Sequence, residues 1–105
     1  MAAMKSSTIR VGVAGLGEWG FRLVAVLGEA GFPVAFYDPD KTNRDLVRSG
    51  GASPALVGLV EAGQVTASTD EIVLHHVDVI IVADPALTET AGRQRVPGAL
   101  LFVVG

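Results

Sequence analysis

The stretch from Ile9 to Asp40, IRVGVAGLGEWGFRLVAVLGEAGFPVAFYDPD, constrains this chain more than any other. An apolar segment, Val11 to Ala14, leads through a glycine-rich turn into a helical pattern that ends near Gly31. A second apolar segment, Val34 to Tyr37, follows and closes on Asp38. Gly15, Gly17 and Gly20 form G-x-G-x-x-G, and Asp38 lies 18 residues beyond the last of them. Set between a strand and a helix, this is the fingerprint of a dinucleotide-binding turn.

Each position has a physical reason. Gly15 permits the tight turn out of the first strand. Gly17 lets the main chain approach a pyrophosphate, and Gly20 lets the helix pack closely on the strand. The amides of Gly17, Glu18 and Trp19 are expected to open the helix, where unpaired N–H groups and the positive end of the dipole favour an anion. Asp38, at the carboxyl end of the second strand, is expected to accept hydrogen bonds from an adenosine ribose. Its charge repels a 2′-phosphate, so NAD is favoured over NADP. The competing reading is purely structural: three glycines shaping a sharp turn, and an aspartate opening the Asp-Pro-Asp turn. Trp19 is expected to pack into the core. Gly17→Val is expected to abolish cofactor binding and leave the fold intact.

The remainder alternates strand and helix. Residues 1–8 are expected to be a loose arm and residues 9–105 one domain. Strands are expected at Ile9 to Ala14, Val34 to Tyr37, Val65 to Ala67, Val77 to Val82 and Ala99 to Val104. Helices are expected at Glu18 to Ala30, from the Asp40 cap to Arg48, at Pro54 to Ala62, at Glu71 to His75 and at Thr88 to Arg95. Val77 to Val82 carries five apolar residues in six, which suits a strand buried on both faces. With right-handed crossovers the order gives an α/β, Rossmann-type doubly wound parallel sheet of five strands, 3-2-1-4-5.

A net charge of −3 argues against nucleic acid as a partner, and zero cysteines exclude disulfides and thiolate catalysis. No apolar run approaches membrane-spanning length, and MAAMKSST lacks a signal-peptide core, so a cytoplasmic location is expected. His75 and His76 are adjacent and cannot form one metal-binding face of a helix, so no metal is expected. Asp70 and Glu71 read as the start of a helix rather than as paired acids.

GLGEWGFRL at Gly15 to Leu23, FYDPD at Phe36 to Asp40, PALVGLVEAGQVTASTD at Pro54 to Asp70 and VDVIIVADP at Val77 to Pro85 together carry a family resemblance. Over roughly Arg10 to Pro85 the chain resembles the N-terminal NAD-binding domain of the UDP-glucose/GDP-mannose dehydrogenase family. The resemblance implies an oxidoreductase-type nucleotide-binding domain whose cofactor contacts include the main chain after the fourth strand, here Ala83. Where that family has V-P-T-P after this strand, this chain has Asp84, Pro85, Ala86 and Leu87, and the family's basic residue after the ribose acid falls at Asn43. The family's nucleophilic cysteine lies beyond the first domain and has no counterpart here.

Two expectations follow. The first is a cofactor-binding module, not catalytic alone: an excised domain of a larger dehydrogenase or a subunit completed in trans. The second is a non-catalytic interaction protein that kept the fold and lost the cofactor. Intact glycines and Asp38 favour the first; Asp84 and the missing threonine favour the second. The apolar strand Ala99 to Val104, at a sheet edge, is expected to pair with a second copy or a partner subunit.

Overall fold

The computed structural model describes residues 8–51 and 53–104. All but the last residue of the expected N-terminal arm lies outside them. Five parallel strands, β1 (Val11–Ala14), β2 (Val34–Tyr37), β3 (Val65–Ser68), β4 (Val79–Val82) and β5 (Leu100–Val103), form one sheet in the order β3-β2-β1-β4-β5. This is the expected topology. Helices α1 (Gly20–Glu29), α2 (Lys41–Arg48), α3 (Pro54–Glu61) and α4 (Thr88–Gln94) connect them, with 3₁₀ segments at Glu71–His76 and Pro85–Leu87.

Helices α1, α2 and α3 cover one face over β1, β2 and β3, closing a core of Val13, Val24, Val34, Phe36, Val47, Leu56, Val65 and Ala83. The 3₁₀ segment Glu71–His76 and α4 cover the other face, where Ala14, Tyr37, Leu74, Ile80, Val82, Leu87 and Ala91 pack. Gly12 leaves room for that second layer. A Cβ there would lie 2.9 Å from Leu74 Cδ2, so a larger residue would force the Leu74 side chain to give way.

Boundaries differ from expectation for local reasons. β4 begins at Val79 rather than Val77, because Asp78 is used to close the strand start: its carboxylate accepts from the Arg10 amide (2.9 Å) and its own amide donates to the Arg10 carbonyl (2.9 Å). The expectation that β4 is buried on both faces fails. Ile80 and Val82 are buried, but Val79 and Ile81 are half-buried, since the helices of their face stop at β1. Asp70 caps the 3₁₀ segment as expected, accepting from the Ile72 amide at 3.0 Å. Among the described residues no helix is long and apolar enough to cross a membrane.

Candidate functional site

The glycine loop crosses the carboxyl ends of β1 and β4, where the sheet order reverses and open α/β sheets bind their ligands. Gly15 (φ 89°) donates to the Tyr37 carbonyl at 2.7 Å and turns the chain away from β1. A side chain there would run into Asp84 Cβ. At Gly17 (φ 50°) it would strike the Ala83 carbonyl, and at Gly20 the Gly15 carbonyl. All three glycines are therefore required by close packing of the loop over β4 and on itself. Gly17→Val is therefore expected to displace the loop itself as well as any ligand, because the branched side chain meets the Ala83 main chain.

Helix α1 begins at Gly20, two residues later than the sequence pattern suggests, with the Gly20 amide bonded to the Leu16 carbonyl at 2.5 Å. Gly17, Glu18 and Trp19 form an exposed turn ahead of it. Among the described residues their amides meet no acceptor. The other helix starts that leave a loop are closed by their own side chains. Asp40 accepts from the Thr42 amide at 2.8 Å, Ser53 from Leu56 at 3.4 Å, and Asp84 from Ala86 at 3.0 Å. Trp19, at the corresponding position of α1, makes no such bond. Among the described residues this helix start leaves N–H donors without a protein acceptor.

Trp19 is 45% exposed, which corrects the expectation of core packing; its ring lies under the Arg22 guanidinium, 5.9 Å from the carbon to the ring centroid. The sequence signal was ambiguous because Trp19 and Phe21 offer alternative apolar positions, and it is Phe21 that turns inward against Gly51.

Asp38 is only 3% exposed. Its carboxylate accepts from the Leu16 amide (3.1 Å), the Asp40 amide (2.8 Å) and Asn43 Nδ2 (3.1 Å). One aspartate thus joins the glycine loop, the end of β2 and the start of α2. Asn43 was singled out in the sequence only as a missing base; its role as a clamp on Asp38 had no sequence signal. Ala83 is 1% exposed and lies beneath Gly17, its amide donating to the Ala14 carbonyl at 2.9 Å. Asp84 sits beside Gly15 with its carboxylate turned to the Ala86 amide. Arg44 of α2, next to Asn43, is held by Asp45 at 2.7 Å.

Away from this mouth, a cleft of about 230 Å³ lined by Arg10, Ala35, Thr66, Val73 and His76 lies at the amino ends of the strands. It is remote from the donors of the glycine loop. His75 and His76 meet edge to face, with centroids 5.4 Å apart, and His75 Nδ1 lies 3.2 Å from the Gln94 carbonyl.

No family model matches the chain, and no curated protein matches it. Solved structures do. A UDP-D-ManNAc dehydrogenase from Pyrococcus horikoshii aligns over 90% of this chain with TM-score 0.78 and 22% identity. The fold is Rossmann-type. A UDP-glucose dehydrogenase from Pyrobaculum islandicum aligns over 93% with TM-score 0.78 and 19% identity. The likeness extends to a (S)-3-hydroxybutyryl-CoA dehydrogenase from Ralstonia eutropha, over 92% with TM-score 0.73 and 16% identity. This Rossmann-type chain spans 28%, 29% and 41% of those proteins.

Proposed function

We infer that this chain is a dinucleotide-binding module, related to the nucleotide half of a sugar-nucleotide dehydrogenase and not catalytic by itself. The observation that carries this reading is the start of α1: the amides of three exposed residues, without acceptors among the described residues, at the switch point of the sheet, where the other loop-borne helix starts are capped. A pyrophosphate there would take the Gly17, Glu18 and Trp19 amides as donors, aided by the helix dipole. Asp38 lies at the carboxyl end of β2, where an adenosine ribose would sit, and its charge disfavours a 2′-phosphate, so NAD is the cofactor proposed over NADP. The nicotinamide would supply hydride-transfer chemistry when bound; this chain's residues would bind and orient the other half of the molecule.

A second reading has specific support. The Asp38 carboxylate already accepts three N–H groups and is almost fully covered, and Asp84 adds a carboxylate beside the loop. Both features suit a Rossmann-type interaction protein that has lost its cofactor.

Isothermal titration with NAD, NADH and NADP separates the two. Dissociation constants from tens to hundreds of micromolar for NAD, with weaker NADP, are expected for the module; no heat at millimolar nucleotide supports the interaction protein. Asp84→Asn keeps an oxygen for the Ala86 amide and removes the charge. It is expected to tighten NAD binding by about two- to fivefold, corresponding to roughly 0.4–1 kcal/mol of relieved repulsion. An unchanged constant would place the pyrophosphate elsewhere.

A further inference from the structure

The face that carries α1, α2 and α3 is covered only as far as β1. Next along it come Val79 and Ile81 of β4, half-buried, and then Leu100, Phe102 and Val104, which are 55%, 52% and 42% exposed. Pairing sets Val79 beside Leu100 and Ile81 beside Phe102, so these side chains form one continuous apolar surface. Helix α1 borders it. Phe21 and Gly28 turn toward Gly51 and Leu59, which leaves the flank of Trp19 and Leu23 toward the uncovered strands.

β5 itself, LLFV, is an edge strand without a charge or a proline, the devices that normally keep such an edge from pairing. The Leu100 amide donates to the Asp78 carbonyl (3.0 Å) and the Val104 amide to Val82 (2.9 Å). By alternation the amides and carbonyls of Leu101 and Val103 point out of the sheet edge.

We propose that the 105-residue chain forms a twofold dimer in which β5 pairs antiparallel with β5 of a second copy, with Phe102 opposite Phe102 on the axis. A twofold axis normal to the sheet keeps each face on its own side, so residues facing across it must have the same parity. Centring on Phe102 sets Leu101 opposite Val103, both with outward main-chain groups, as a hydrogen-bonded pair. It sets Phe102 opposite Phe102 and Leu100 opposite Val104 as the close, non-bonded pairs. Centring on Leu101 would place Val104 against Gly98, a turn residue at φ 91°, and waste that contact.

The area agrees with a weak dimer. Leu100, Phe102, Val103 and Val104 are 55%, 52%, 47% and 42% exposed and offer on the order of 300 Å² per copy, below the roughly 600 Å² per partner of the smallest standard interfaces, and the main-chain hydrogen bonds of the Leu101–Val103 pairs add to it. Association in the upper micromolar range is expected. The twofold contact also closes on itself, whereas β5 adding to the β3 edge would build open filaments.

Sedimentation velocity from about 1 to about 200 µM tests this. The expected result is conversion of a 10.8 kDa species to one of twice that mass as concentration rises. Phe102→Lys and Phe102→Glu are each expected to stay monomeric with unchanged far-UV circular dichroism, and an equal mixture to regain the dimer. A wild-type monomer throughout, growth beyond the dimer, or failure of the folded mixture to associate would overturn the proposal. Should the Phe102 variants not fold, Val104→Lys mixed with Leu100→Glu poses the same question at the neighbouring pair.

Discussion

Asp38 shows how one residue can be found by its function and yet be governed by its structure. Its place at the end of β2 was legible in the sequence. Its burial, and the three N–H groups it accepts, were not, because Leu16 and Asn43 come near it only through tertiary packing. Asp38→Ala leaves the Leu16 and Asp40 amides without this acceptor and is expected to cost about 2–3 kcal/mol, read as a lower urea midpoint. An aspartate that served only a ribose would give no such loss. The glycines allow a sharper comparison. Gly17 and Gly31 both have positive φ, 50° and 99°, but a Cβ at Gly31 meets nothing within 4 Å while one at Gly17 meets the Ala83 carbonyl. Gly31→Ala is expected to cost about 1 kcal/mol, the price of the left-handed backbone alone, and Gly17→Ala at least about twice that. Equal midpoints in urea would show that the loop can lift off β4.

Among the elements, the 3₁₀ segment Glu71–His76 packs on β2 and β1 and is tied to α4 through the Glu71 carboxylate. Glu71 accepts from Gln94 Nε2 at 2.7 Å and from the Arg93 guanidinium at 3.1 Å. The Gln94 hydrogen bond first, then those of Arg93 and its charge, hold the Glu71 carboxyl below its ordinary value of 4.5. A depressed carboxylate contributes stability that is fully present above the unfolded value and is lost as pH falls through the folded one. The thermal midpoint is therefore expected to drop on acidification below about pH 4.5, and Glu71→Gln to flatten that part of the profile. Tyr37, buried beneath this tie, is pushed up from 10.0 by burial and then by the Glu71 charge, so its stabilising neutral form is lost only in strong alkali. Strand order and helix positions could be read from the sequence because glycines, caps and apolar runs mark them locally. The ends could not: β4 starts late because Asp78 bonds to Arg10, 68 residues away. The exposed side of β4 was also hidden, since its uninterrupted apolar sequence looks the same whether one face or two are covered.

For the whole molecule, nucleotide binding and association act on one folding equilibrium, but along different axes. A ligand that binds only the folded chain stabilises it by RT ln(1 + [L]/Kd). With a dissociation constant near 100 µM, NAD at about 2 mM supplies roughly 1.8 kcal/mol, or a rise of about 7 °C or more in a domain of this size. Because the proposed module would hold the adenosine diphosphate half of the nucleotide at the α1 start and Asp38, ADP-ribose is expected to give most of that rise and nicotinamide mononucleotide almost none. Dimerisation through β5 instead raises the midpoint with protein concentration at fixed nucleotide. The two sites lie on different parts of the sheet, so Phe102→Lys should abolish the dependence on protein concentration and keep the response to NAD. Asp84→Asn should enlarge the response to NAD and leave the dependence on protein concentration alone. Scanning calorimetry over a grid of the two concentrations reads both at once. If nicotinamide mononucleotide stabilised as well as ADP-ribose, the free amides of α1 would not be what the nucleotide contacts. The Rossmann-type fold would then be serving association rather than a cofactor.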